Sequence, residues 1–332
     1  MGRKIRWGIL GSGKIARKFA GDLKHVKNAE LIAVGAREQS SADVFGNEFN
    51  IPFRHNSYQA LVENHEVDVI YVATPHGFHF EHALLCLQNK KAVLLEKAFT
   101  INATEAKKII SFAKEQRVFL MEAFWTRFLP HYLKTKELIE AGRIGTIQSI
   151  IAEFGFKPTP PFAKRIYDPL LGGGSLLDIG VYPVFLALDL LGKPDEIHAW
   201  MTPSKEGVDD QCAVQMRFKN GAMAQLFSSF SSNLATGADI AGDSGRIRMT
   251  HRFHGPTTKL EYYPNTVDSR QAIAFEVAKG NGYEYEAQHV TECLQKELVE
   301  SPIRTHIDTI LLMETLDIIR SKAGIVYPAD HL

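Results

Sequence analysis

The sequence predicts an α/β protein in two parts: a doubly wound parallel sheet, then an α+β domain with an open, mostly antiparallel sheet. Three observations carry this. Short apolar runs alternate with amphipathic helical stretches through the first third of the chain. A glycine-rich turn directly follows the first of those runs. Beyond Met121 the runs lengthen and the intervening helices thin out. With 332 residues the chain is too long for one compact core and fits two domains of ordinary size.

The apolar runs of strand length are 5–10, 31–34, 69–73, 92–95 and 118–121. The helical stretches between them are 15–23, 41–49, 81–89 and 103–116, and the last opens on a capping box, Asn102 with Glu105. After Pro130 comes a helix over about 131–141 that ends at Gly142. Longer strands then follow at 146–156, 196–202, 212–218, 223–230 and 246–250, with Asn220-Gly221 as a hairpin turn between two of them. Two helices, near 284–299 and 308–322, close the chain. The boundary falls near 121–128, giving domains 1–123 and 124–332, with packing of the final helix on the first domain left open.

Composition excludes several classes. Lys+Arg and Asp+Glu both number 38, so there is no general attraction to nucleic acid or anionic membrane, and any phosphate affinity must be local. Cys86, Cys212 and Cys293 form neither a disulfide framework nor a CxxC motif. The basic start runs straight into a short apolar strand rather than a signal core, and Arg6 stands where a myristoylation signal needs Ser or Thr. The apolar run 181–191 is broken by Asp189 and is too short to cross a bilayer. A cytoplasmic protein is expected.

The first specific signal is Gly11-Ser12-Gly13-Lys14-Ile15-Ala16. It reads G-x-G-x-x-A between the first strand and the first helix, the setting that makes such a match informative. Gly11 permits the tight turn, Gly13 lets a pyrophosphate approach the backbone, and Ala16 allows close helix–sheet packing. The helix N-terminus then offers unpaired N–H groups to phosphate. This is the phosphate loop of a Rossmann dinucleotide site. After the second strand, Ala36 stands where an acidic ribose ligand would sit and Arg37 follows it, which favours NADP over NAD; a shift of one or two positions would instead make Glu38 a ribose ligand.

Further motifs appear in order: Thr74-Pro75 followed by His79, then Glu96-Lys97, then Gly172-Gly173-Gly174-Ser175-Leu176-Leu177-Asp178-Ile179-Gly180. With the glycine loop, they make the whole chain resemble the glucose–fructose oxidoreductase / inositol dehydrogenase (Gfo/Idh/MocA) family. The segments 121–128 (MEAFWTRF) and 180–183 (GVYP) are similar to its branch of dihydrodiol dehydrogenases and NADP-dependent pentose dehydrogenases. The resemblance implies a Rossmann domain, an open-faced sheet domain that pairs in a homodimer, and an NAD(P)-dependent oxidoreductase acting on CH–OH groups. Two departures stand out. Ala98 replaces the proline common after Glu-Lys, and Tyr182 stands where many relatives carry His, as it does in the narrower branch.

Hydride transfer at an alcohol carbon leaves a proton to be handled, and the protein must handle it. Tyr182 is the candidate acid or base. An unperturbed Tyr titrates near ~10, so a cation is needed to favour its phenolate. The resemblance implies that Lys97 reaches the nicotinamide ribose and the substrate oxygen. Lys97 is therefore expected to orient substrate and to lower the Tyr182 pKa, with Tyr182 transferring the proton. Asp178, four residues earlier on one turn, is assigned to substrate hydroxyls. Without the family pattern, a solvated Lys, a packing Tyr beside Pro183 and a helix-capping Asp would be the ordinary readings.

His76, His79 and His82 could share a helix face as metal ligands, yet no Cys or paired carboxylate completes a site, so no metal is expected. The resemblance instead places Thr74, His76, His79 and Glu96 beside the cofactor. It places Trp125, Thr126 and Arg127 against cofactor and substrate pocket. Arg165, Tyr167 and Asp168 are candidates for a loop over that pocket. The leading expectation is hydride transfer between NADP and a small polyhydroxy or carbonyl substrate, such as an aldose or cyclic diol. A cofactor-recycling oxidoreductase, a redox-assisted glycoside hydrolase and a non-catalytic NADP sensor are the alternatives.

Overall fold

The computed structural model describes residues 3–161, 163–265 and 270–331. It divides into two compact units: Met1–Phe128 with Ala278–Ile310, and Leu129–Val277 with Leu311–Leu332.

In the first unit, six strands among the described residues form one parallel sheet: β1 (Ile5–Leu10), β2 (Ala29–Gly35), β3 (Phe53–His55), β4 (Val69–Val72), β5 (Ala92–Glu96) and β6 (Leu120–Ala123). Their order is β3-β2-β1-β4-β5-β6, so the order in which strands are added reverses between β1 and β4, which still pair in parallel. That reversal opens the crevice where doubly wound sheets bind ligands, beyond the carboxyl ends of the strands. The linking helices are α1 (Lys14–Leu23), α2 (Gln39–Phe49), α3 (Tyr58–Glu63), α4 (His79–Gln88) and α5 (Ala103–Gln116). Trp7, Ile9, Tyr71 and Leu94 are fully buried on the sheet, and Phe19 of α1 stacks on Tyr71. The Asn102 cap forms as expected, its side chain accepting from the Glu105 N–H at 2.9 Å, while Glu105 Oε2 reaches back to the Ile101 N–H, one residue before the cap.

Two elements of this unit escape sequence reading. β3 has three residues, too few for a period to show. α3 has six and is held at its start by the Ser57 hydroxyl, which accepts from the Ala60 N–H.

The proposed contiguous division 1–123 and 124–332 needs correction. The first unit continues to Phe128 and then regains Ala278–Ile310, including α8 (Tyr283–Gln295). Buried Asp22 of α1 accepts N–H bonds from Asn281 and Tyr283, and Tyr283 stacks on Trp125 at 4.5 Å. The last long helix, α9 (His306–Ala323), has its first turn in this unit and the rest in the other. An amphipathic period announces a buried face but not the surface that buries it.

The second unit opens with α6 (Pro130–Glu140). Its sheet comprises, among the described residues, β7 (Ile147–Gly155), β8 (Glu196–Pro203), β9 (Asp209–Arg217), β10 (Met223–Ser229), β11 (Ala238–Gly242), β12 (Gly245–Met249), β13 (Leu260–Pro264) and β14 (Gln271–Ile273). The order is β14-β13-β12-β11-β7-β10-β9-β8, antiparallel except where β10 lies parallel to β7. Asn220-Gly221 makes the β9–β10 hairpin as read, with Gly221 at φ +86°. The short strands β11, β13 and β14 were not anticipated.

α7 (Val181–Leu191) is apolar on almost every side and packs on β7 and β10, where Ile150, Ala152 and Leu226 are buried on one face of the sheet. It continues a wider π-helical turn, Leu176–Gly180. Together with the short helical turn before it, the run Pro169–Leu191 is long and apolar enough to cross a membrane, but most of it is buried inside the structure, as a core helix is.

Candidate active site

At the end of β1, Gly11 has φ +106°, a conformation L side chains rarely adopt, and an added Cβ would lie 3.1 Å from the Ala73 carbonyl oxygen. Gly13 and Lys14 are exposed, Ser12 and Ile15 are half-buried, and Ala16 is fully buried. Gly13 caps α1, and a Cβ there would meet nothing within 4 Å. No side chain caps the helix and no acid lies in its first turn. The open backbone and uncapped N–H groups fit a pyrophosphate, with the helix dipole favouring its charge. Arg37 stands exposed just past β2, and its charge acts on the half-buried Tyr58. Glu38 starts α2, where its carbonyl accepts the first helical N–H bonds.

Past β4 and β5 the three histidines play different parts. His76 Nε2 lies 3.1 Å from the Lys97 carbonyl. His79 bridges the Ala98 and Thr74 carbonyls at 2.9 and 2.8 Å. His82 pairs with the Thr74 hydroxyl at 3.0 Å and contacts Tyr58 and Phe78. Burial pushes both His79 and His82 down to about 4, and the Thr74 and Ala98 carbonyls pull His79 the other way. His76 and His79 thus brace the backbone that presents Lys97, and among the described residues no group of three ligating side chains could hold a metal ion. The Lys97–Ala98 peptide is cis, and Lys97 itself is half-buried.

Glu96 turns its carboxylate into the core. Tyr71 donates its hydroxyl to Glu96 Oε1, and Oε2 accepts from the Lys97 N–H at 3.1 Å. Burial pushes Glu96 up to about 7, against the opposing pull of Tyr71 and Lys97. Two further buried carboxylates lie near. Glu122 Oε2 accepts from Arg304 Nε at 3.1 Å, from Arg304 Nη2 and from the Thr309 hydroxyl. Glu286 is fully buried and neither of its oxygens has a hydrogen-bond partner among the described residues; burial pushes it well above the usual carboxylate range. Trp125 stacks on Tyr283, Thr126 is buried, and Arg127 is half-buried.

In the second unit, the glycine motif becomes the π-helical turn. Asp178 is half-buried and receives Arg165 Nη1 at 3.0 Å, so Arg165, expected in a covering loop, meets the expected substrate ligand. Tyr182 is 6% exposed, with the His254 ring centroid at 4.6 Å and that of Phe154 at 5.9 Å. Tyr167 donates to Asp210 at 3.0 Å, and Asp168 caps the short turn at Pro169–Leu171.

Two family models match this chain. Residues 5–124 match the oxidoreductase family model with an NAD-binding Rossmann fold, and residues 132–248 match the GFO/IDH/MocA C-terminal domain. The chain belongs to the Gfo/Idh/MocA family. Trans-1,2-dihydrobenzene-1,2-diol dehydrogenase from Mus musculus is 36% identical over 98% of this chain and 99% of its own length, and the Danio rerio protein of that name is 33% identical over the same shares. A 3-ketoreductase from Actinomadura kijaniata, solved with NADP and TDP-benzene, is 26% identical with a TM-score of 0.88, covering 97% of this chain and 98% of that one. An aldose–aldose oxidoreductase from Caulobacter crescentus shares the fold, at 22% identity and a TM-score of 0.89 over the same shares.

As a Gfo/Idh/MocA member, the protein is an NAD(P)-dependent oxidoreductase. The family motifs led to Lys97, Asp178 and Tyr182. They did not lead to His254, Tyr71, Asp209 or Tyr327, which lie in no motif and meet the motif residues only through the fold.

Proposed function

We propose that this enzyme transfers a hydride between NADP and a small polyhydroxy or carbonyl compound, a cyclic diol or an aldose. Lys97 orients the substrate, and Tyr182 gives or takes its proton. Asp178 holds a neighbouring hydroxyl. Bound NADP supplies the hydride-carrying ring; the Gly11–Ile15 loop and Arg37 hold its phosphates, with Thr74, His76, His79, Trp125 and Arg127 as its further neighbours. Glu96 serves through its neighbour, steadying the Lys97 backbone.

The observation that carries this reading is the turn that sets Asp178 and Tyr182 one helical turn apart, beside an aromatic wall of Phe154 and His254. A ring-bearing diol presents one apolar face and vicinal hydroxyls, and such a wall with an acid and a phenol matches both. The names of the relatives, a diol dehydrogenase and a sugar-nucleotide ketoreductase, support the same class.

The test is a panel of cyclic diols, aldoses and dicarbonyls followed by NADPH absorbance. Turnover with at least one diol or sugar is expected. Micromolar NADPH binding with no turnover on any member would overturn the proposal in favour of a sensor, and cofactor retained through purification would point to recycling. In the same assay Arg37→Ala raises KM for NADPH by about tenfold or more, the size of one charged hydrogen bond, and leaves NADH little changed. Unchanged NADPH affinity would reject Arg37 as the 2′-phosphate ligand.

We further propose a homodimer through the open sheet face. Trp200, Met223 and Ile151 are 61%, 59% and 54% exposed and lie on the face opposite α7. Light scattering should give twice the chain mass, and Trp200→Glu should give monomers; a monomeric wild type at all concentrations would refute this. A cytoplasmic location suits three free, buried cysteines, and cell fractionation tests it.

A further inference from the structure

Asp209 opens β9 and is fully buried. Its Oδ2 accepts two hydrogen bonds of 2.7 Å, from the Ser175 hydroxyl and from the Leu176 N–H. With the Ser175 proton committed to Asp209, Ser228 of β10 donates to Ser175 Oγ at 2.9 Å. Asp209 Oδ1 has no hydrogen-bond partner among the described residues and presses on Gly174, whose φ is +109°. A Cβ at Gly174 would sit 2.4 Å from that oxygen. The Tyr327 hydroxyl, which that Cβ would also meet, at 2.9 Å, donates to the Gly173 carbonyl.

These bonds all end on residues 173–176, immediately before the turn that carries Asp178 and Tyr182. The first N–H groups of a helix have no partner inside it. Here one of them is taken by a carboxylate from another strand, so the start of the turn is pinned to the sheet rather than to itself. Within the turn the hold is weaker: the Asp178 N–H reaches the Gly174 carbonyl at 3.3 Å. A displacement at residues 174–176 is therefore passed along the helix to the Tyr182 oxygen.

We infer that Asp209 is a positioning residue for proton transfer: through Ser175 and the Leu176 amide it sets where the Tyr182 hydroxyl stands, with Tyr327 as a second brace. This rests on the reading that Tyr182 passes the proton. Asn at 209 keeps the size but changes the pairing. An amide nitrogen toward Leu176 opposes the N–H there, and one toward Gly174 is a buried donor in a place where the oxygen it replaces has no partner. Either arrangement shifts the turn, and proton transfer is sensitive to about an ångström.

The experiment measures kcat per NADPH-binding site, KM and the solvent deuterium isotope effect for Asp209→Asn, Ser175→Ala, Tyr327→Phe and Tyr182→Phe. For Asp209→Asn, kcat per site falls by about tenfold to a hundredfold and the isotope effect on kcat rises, because the proton step becomes limiting, while NADPH affinity is unchanged. Ser175→Ala and Tyr327→Phe show the same pattern more weakly. A purely structural role lowers the number of NADPH-binding sites and leaves kcat per site and the isotope effect alone; that result in Asp209→Asn overturns the inference. If Asp209→Asn does not fold, Ser175→Ala decides by the same criterion. Full turnover in Tyr182→Phe sinks the reading of Tyr182 itself. An inactive Tyr182→Phe beside a wild-type-like Asp209→Asn sinks this inference alone.

Discussion

Replacing Tyr182 with Phe lowers kcat by about two to four orders of magnitude, the range that one positioned acid or base contributes. The substitution removes a single oxygen. The ring that packs near His254 and Phe154 stays, so the turn keeps its shape and the loss reports chemistry rather than folding. NADPH binding is unaffected, because the glycine loop before α1 belongs to the first unit and Tyr182 to the second. If the oxygen acts mainly in the transition state, kcat and kcat/KM fall together, with KM almost constant. Steady-state kinetics on the best substrate of the panel, with NADPH titration of the same preparation, checks this. A variant with full turnover would take Tyr182 out of the mechanism.

Arg304→Ala destabilises the first unit by about 3–5 kcal/mol near neutral pH, the cost of leaving one partner of a buried ion pair alone. Arg304 and Glu122 are both almost wholly buried, and Arg304 also lies 5.3 Å over the Phe124 ring. Their neighbours make the loss depend on pH. Glu96 is pushed up to about 7 and Glu286 well above the usual range, each first of all by burial. A carboxyl raised in the folded state holds its proton more tightly there than in the unfolded chain. Its contribution to stability is therefore greatest below the unfolded value and is lost as pH rises through the folded one. For Glu96 that window runs from 4.5 to about 7. At pH 5 Glu96 is neutral and the missing guanidinium is felt less; at pH 8 Glu96 is ionised beside Glu122, and the loss is larger. Denaturant unfolding of wild type and variant at pH 5 and pH 8 measures it. A loss below about 1 kcal/mol at pH 8 would show that the pair contributes no more than a surface salt bridge.

Much of the architecture was readable because it is written locally. Helix and strand periods repeat within a few residues, and β1, α1, α5 and α6 lie within a residue or so of where the pattern puts them. The glycine turn was legible for the same reason: its tight bend and the helix start fall within six consecutive residues. Lys97, Asp178 and Tyr182 were reached through motif resemblance, since a lone Lys or Tyr has no local signature of chemistry. Glu96, which the resemblance placed beside the cofactor, meets the Tyr71 hydroxyl and the Lys97 N–H, contacts that no local spacing announces.

The sequence by itself determined the two-part α/β order, the glycine turn between β1 and α1 and the hairpin at Asn220-Gly221. Tertiary structure alone decided which buried groups meet. Asp209 meets Leu176 across 33 positions, Arg304 meets Glu122 across 182, and Asn281 meets Asp22 across 259. No period or spacing announces such pairs, because each partner satisfies a buried group whose need arises only once the chain has folded around it.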